Sequence, residues 1–180
     1  FHAIVKDSQT AGEAAVKLNQ EIFKITNVKY STARKRPDQS PSETIESGIA
    51  SCSGLSVMLI DACRSVGIPA RFVGTPMWSN KSGNHSWVEV WNGGWHFTGA
   101  CEPAGDDLDR GWFLGRAAQA DRNSRLHAIY AVSYRPTQQR FPIGWAPEKD
   151  WVWAVNVTDR YTRLKEKLSP GFGRVMFGAV

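Results

Sequence analysis

From Ala11 the apolar residues Ala11, Ala15, Leu18, Ile22 and Ile25 recur at i, i+4, i+7, i+11 and i+14. That is the period of an amphipathic helix, which Asn27 ends. The stretch from Tyr30 to Glu46 sets Pro37 and Pro41 among Ser, Thr, Asp and Gln, so it reads as an irregular surface connection, the kind of long loop that often carries function. A second helical pattern begins at Ser51 to Ser53 and runs through Leu55, Met58, Leu59, Ala62, Cys63 and Val66, with Gly67 and Pro69 as its stop signal.

Alternation and β-branching take over downstream. Ala70 to Val73 is a short strand candidate, and after the polar loop Ser79 to Asn84 the run His85-Ser86-Trp87-Val88-Glu89-Val90-Trp91 predicts a strand. Asn92-Gly93-Gly94 turns it into Trp95-His96-Phe97-Thr98, a β-hairpin. Glu102 to Asp107 reads as a loop and Trp112 to Ala120 as helical. His127 to Tyr134 and Trp151 to Val157 read as further strands, separated by an irregular segment marked by Pro136, Pro142 and Pro147. A short helix is expected from Thr158 to Lys167, and Phe172 to Val180 reads as a strand suited to a neighbouring domain.

A chain of 180 residues, 42% hydrophobic and 22% charged, has the composition of one soluble globular domain. No run approaches the ~18 apolar residues of a membrane span, and Phe1 to Thr10 lacks the basic and apolar regions of a signal peptide. The start at Phe1 and the end at Gly178-Ala179-Val180 suggest a piece of a larger chain. The net charge of +5 is scattered apart from Arg34-Lys35-Arg36, which argues against a nucleic-acid partner. Eight tryptophans are the compositional anomaly. Five of them, Trp78, Trp87, Trp91, Trp95 and Trp112, mark one central stretch as either an aromatic core or the wall of a cleft. Cys52, Cys63 and Cys101 are too few and too widely spaced for a disulfide scaffold or a zinc site, and at least one must stay unpaired within the chain.

Cys52 stands at the expected start of the second helix, between Ser51 and Ser53. The unpaired N–H groups and partial positive charge of a helix N-terminus favour the thiolate over the thiol. The same N–H groups can bind the oxyanion formed when a carbonyl is attacked. Alone, such a cysteine is more often a small buried apolar residue. His85 changes the balance, because a catalytic cysteine needs an imidazole to take its proton and return it to the leaving group, and a histidine at the mouth of a strand can be aimed at a helix start.

The stretches Ser51-Cys52-Ser53-Gly54-Leu55, Gly67-Ile68-Pro69-Ala70-Arg71, His85-Ser86-Trp87-Val88-Glu89-Val90-Trp91 and Gly94-Trp95-His96-Phe97 resemble the transglutaminase-like core, over about residues 45 to 115. That superfamily includes transglutaminases, microbial thiol proteases and peptide:N-glycanases. The resemblance implies an α+β, papain-like fold, with a helix carrying the cysteine packed on an antiparallel sheet carrying the histidine. It implies Cys52 as nucleophile and His85 as general base. It also divides the chain into a transglutaminase-like domain over 1–157 and a C-terminal extension over 158–180, suited to lead into a further domain.

The family's aspartate, four residues after the tryptophan of the second hairpin strand, falls on Gly99 here. Glu102 is the first replacement, since a kink at Gly99 or Gly105 can turn it toward His85, with Asp106, Asp107 and Thr98 as the other candidates. By the same resemblance Gln39 is a side-chain donor to the oxyanion beside the Cys52 N–H. Trp78 is a cleft wall and Asn84 a positioning neighbour of His85. His96, His127 and Cys63 read as structural, and Cys101 has no assigned role. The implied activity is thiol-dependent hydrolysis of an amide bond or acyl transfer on a protein, peptide or glycopeptide, with no cofactor and no metal. The alternative, motivated by Gly99, is a catalytically impaired scaffold that binds peptide or glycan. Location stays open between the cytosol and an extracytoplasmic part of a longer bacterial protein.

Overall fold

The computed structural model describes residues 1–164. In chain order it holds α1 (His2–Val5), α2 (Ala11–Ile25), β1 (Lys29–Tyr30), α3 (Pro41–Ser47), β2 (Ile49–Ala50), α4 (Cys52–Ser65), β3 (Ala70–Thr75), β4 (His85–Trp91) and β5 (Trp95–Thr98). These are followed by α5 (Leu114–Ala117), β6 (Tyr130–Val132), β7 (Gln139–Arg140), β8 (Trp153–Asn156) and α6 (Thr158–Thr162). The fold is α+β: six strands form an antiparallel sheet in the order β5-β4-β3-β6-β8-β7, and the helices pack against it. No helix among the described residues is long and apolar enough to cross a membrane.

The amphipathic period from Ala11 becomes α2, capped by the Thr10 hydroxyl, which accepts the Glu13 N–H at 3.1 Å. Its Ala15, Leu18 and Ile22 are fully buried and pack with Leu55, Leu59 and Cys63 of α4 and with Val88 and Val90 of β4. Thus α2 and α4 pack against each other and both rest on the β4 side of the sheet.

The stretch from Tyr30 to Glu46 is not irregular throughout. Ser40 accepts the Glu43 N–H, Glu43 accepts the Ser40 N–H, and Pro41 occupies the first turn, so a capping box starts α3 in spite of its proline. Gly48 ends it at φ +70°, a left-handed cap suited to glycine. The helical reading of Trp112 to Ala120 shrinks to Leu114–Ala117, and the strand readings around His127 and Trp151 shrink to Tyr130–Val132 and Trp153–Asn156. Ladder pairing stops at Ile129, whose N–H goes to the Thr158 hydroxyl at 2.8 Å.

Strand β4 is buried from His85 to Val90. Its even residues face α4, whereas Trp87 joins a second core with Val73, Trp78, Phe97, Phe113 and Tyr161. Glu89 beside it is also fully buried. One Glu89 oxygen accepts from Arg71 Nε at 2.7 Å and Nη2 at 2.6 Å, and the other accepts from the Tyr161 hydroxyl at 2.8 Å. That hydroxyl in turn accepts from Trp87 Nε1 at 2.7 Å. A boundary drawn after residue 157 therefore cuts Tyr161 of α6 away from the core that it completes. The expected strand from Phe172 to Val180 lies outside the described residues, as does the end of the helix expected to reach Lys167.

Candidate active site

Two element starts meet at the site. Cys52 is the first residue of α4 and half-buried, and His85 is the first residue of β4, paired with Thr75 of β3. The residues that follow them, Ser53 and Ser86, share a buried hydrogen bond at 3.1 Å, which fixes the start of the helix against the start of the strand. A close approach supports the same corner: a Cβ on Gly74 would lie 2.7 Å from the His85 carbonyl oxygen.

Cys52 and His85 both line a cleft of about 420 Å³, together with Trp78, Asn84, Glu102 and Trp112. His85 is 6% exposed, its ring among those of Trp112 at 4.9 Å, Phe113 at 5.0 Å, Trp87 at 5.8 Å and Trp78 at 6.0 Å between centroids. Burial in this aromatic nest, with the positive charge of Arg116 as a smaller cause, pushes the imidazole down to about 4. At neutral pH the ring is uncharged, and the same burial opposes the imidazolium that forms when it takes a proton.

His85 Nε2 is buried and has no hydrogen-bond partner among the described residues; Glu102 Oε2 stands 3.9 Å from it, a contact rather than a hydrogen bond. The same oxygen accepts from Trp112 Nε1 at 2.8 Å. Burial raises the Glu102 carboxyl above its ordinary range, and the Trp112 bond partly offsets this.

A tight reversal brings Glu102 here. Its N–H donates to the Gly99 carbonyl at 3.3 Å, and Cys101 between them adopts φ +64°. Asn19 of α2, 2% exposed, clamps the turn: Nδ2 donates to Gly99 O at 2.8 Å and Thr98 Oγ1 at 3.0 Å, and Oδ1 accepts the Cys101 N–H at 2.9 Å. Gly99 is open on the side where Glu102 arrives, since a Cβ there would meet the carboxylate.

Of the residues singled out from sequence, Cys52, His85, Glu102, Trp78 and Asn84 share this cleft, and Gln39 does not. Gln39 is 1% exposed and outside the cleft lining, and its Nε2 donates to Ile49 O at 3.1 Å and Ser47 Oγ at 3.2 Å. Trp78 is core and wall at once, 2% exposed and stacked on Trp87 at 6.2 Å. The other acids turn elsewhere: Asp106 accepts from Gln20 and Asp107 pairs with Arg110. The Thr98 hydroxyl is bound by Asn19. His96 pairs with Asp109, His127 Nδ1 contacts Met77 O at 3.1 Å, and burial pushes the Cys63 thiol up to about 12. Tyr30, Arg34, Arg116 and Trp145 also line the cleft and were not singled out for the site. For Arg34 the basic triplet was the only signal, and for Trp145 there was none.

The model of the transglutaminase-like superfamily matches residues 2–100. The chain belongs to the transglutaminase-like superfamily. The matched span of this transglutaminase-like chain takes in Cys52, His85 and Gly99 and ends before Glu102. Among solved structures the chain is similar to one described as "a Putative Cysteine Protease from Cytophaga hutchinsonii", at 22% identity and a TM-score of 0.42. The similarity covers 53% of this chain and 34% of that one, so the chain spans about a third of that protein's length. Comparison with curated proteins finds no match.

Proposed function

We propose that the domain is a thiol-dependent amide-bond hydrolase or acyltransferase acting through Cys52, His85 and Glu102. One observation carries this reading: the first residue of α4 and the first residue of β4, a thiol and an uncharged imidazole, open on one cleft, and a hydrogen bond between their neighbours Ser53 and Ser86 ties them together.

His85 takes the thiol proton of Cys52, and the sulfur attacks the carbonyl carbon of a bound amide. The Cys52 N–H at the helix start stabilises the oxyanion. The imidazolium then gives its proton to the leaving amine or ammonia, the C–N bond breaks, and a thioester remains on Cys52. Water attacks the thioester in hydrolysis and a second amine in transamidation; hydrolysis is the outcome we favour, on a protein, peptide or glycopeptide substrate. The Glu102 carboxylate stabilises the imidazolium while it carries the extra proton.

The 3.9 Å gap between Glu102 and His85, together with the Trp112 bond on the same oxygen, favours a second reading, a catalytically impaired module that binds peptide or glycan. Alkylation of Cys52 by iodoacetamide at pH 7, followed by peptide mass mapping, separates the two. An activated pair makes the wild type react about 10²-fold faster than His85→Ala, within the usual range for proton transfer by a positioned group. Equal rates in the wild type, His85→Ala and Glu102→Ala would sink the catalytic reading.

A further inference from the structure

Two arginines line the same cleft as Cys52 and His85, and neither pairs with a carboxylate among the described residues. Arg34 is half-buried and held by neutral acceptors alone: Nε donates to the hydroxyl of Ser51 at 3.0 Å and Nη1 to the Thr32 carbonyl at 2.8 Å. Ser51 immediately precedes Cys52, so this guanidinium is anchored to the residue next to the nucleophile and lines the same cleft. Arg116 is exposed at the cleft, 5.4 Å from the centroid of the Trp112 ring, and its charge is felt at His85. Against these two charges the cleft offers one carboxylate, Glu102, already bound by Trp112. By contrast Arg36, two residues from Arg34 but outside the cleft, is neutralised by Glu43 at 2.7 Å.

We infer that the cleft selects an anionic substrate, a peptide that carries a carboxylate close to the amide under attack, with Arg34 and Arg116 as the residues that bind it. A guanidinium presents a planar fork of donors matched to a carboxylate, and Arg34 has its orientation set before anything arrives. The half-burial of Arg34 strengthens such a contact over its value in open water. This assignment rests on Cys52 being the reacting thiol.

The test compares two alkylating agents of nearly equal size, iodoacetate, which carries a carboxylate, and iodoacetamide, which does not. Rates at Cys52 are read by peptide mapping in a Cys101→Ser background, and the iodoacetate-to-iodoacetamide ratio is divided by that of glutathione. The wild-type ratio is expected about 10- to 100-fold above glutathione's, in keeping with charge-assisted hydrogen bonds. It should fall about tenfold in Arg34→Gln and in Arg116→Gln, hold in Arg36→Gln, and shrink in molar salt. Arg34→Lys, which keeps the charge, should retain part of the preference. A ratio equal to glutathione's, or one unmoved by either cleft variant, overturns the anionic assignment. The iodoacetamide rate alone, compared with that of His85→Ala, reports on the thiol reading, so the two failures are distinguishable.

Discussion

The carboxylate of Glu102 fills the space that a side chain on Gly99 would occupy: a Cβ there would lie 2.7 Å from Oε2 and 3.2 Å from Cβ of Glu102. Even a methyl group at residue 99 must therefore displace the acid from His85. Gly99→Ala is expected to slow Cys52 alkylation by about tenfold or more, as Glu102→Gln does, because both remove the carboxylate beside the imidazole. The double variant Gly99→Asp/Glu102→Gly returns an acid to the same space and is expected to recover part of the rate. Wild-type rates in Gly99→Ala would show that Glu102 takes no part.

The buried imidazole also makes stability depend on pH. His85 titrates near 4 in the folded chain against an ordinary value of 6.5, so between those limits the unfolded chain binds the proton first. Its share of stability, about 3 kcal/mol, is fully present above about pH 6.5 and is lost as the pH falls toward 4. Glu102, raised by burial, acts in the opposite direction. Urea denaturation of the wild type and His85→Gln between pH 7 and pH 4.5 isolates the histidine share as the difference between the two slopes. Parallel slopes would mean that His85 is not desolvated.

Gly74 tests the strand corner. A Cβ there meets backbone, the His85 carbonyl at 2.7 Å, which cannot swing aside as a flexible side chain would. Gly74→Ala is expected to destabilise the fold by about 1–3 kcal/mol and to lower Cys52 reactivity in the fraction that remains folded. Denaturation measures the first and alkylation the second. A loss of stability with undiminished reactivity would show that the corner does not aim the imidazole.

Tyr161 links α6 to the buried Glu89 and Trp87 through one hydroxyl. Tyr161→Phe leaves the Trp87 N–H without its acceptor and one Glu89 oxygen with Arg160 Nη1 at 3.5 Å alone, and is expected to cost about 1–3 kcal/mol. A chain ended at residue 157 loses the ring as well, along with its contacts to Trp87 and Phe97, and is expected not to fold cooperatively in a thermal melt. A sharp transition in that shortened chain would place the domain boundary at 157.

Much of this scaffold was legible from spacing alone. Helices α2 and α4 bury one another's apolar faces, so their residues repeat with the helical period, and Asn92-Gly93-Gly94 gave away the β4–β5 hairpin. Helix α3 hides behind Pro41, which reads as a breaker in a polar stretch, although proline is at home in a first helical turn and Ser40 with Glu43 spells a capping box. Nearness in sequence to Cys52 does not decide which way an amide faces, and the Gln39 amide donates to Ile49 and Ser47, away from the cleft. Asn19, which clamps the Gly99–Glu102 turn from a helix far away in the chain, and Trp145 and Arg116 on the cleft rim carry no local pattern at all, because only the closed fold brings them in.

The strand that carries His85 has no solvent-facing position from His85 to Val90. Every substitution along it disturbs either the helical core or the aromatic one, so drift in this strand is penalised before it can alter the chemistry. The rim is freer: Tyr30 and Trp112 are exposed, and Arg34, Arg116 and Trp145 lie outside the sheet. Divergence among proteins built on this plan should accumulate at that rim, changing what the cleft admits while the thiol and the imidazole stay where the two cores hold them.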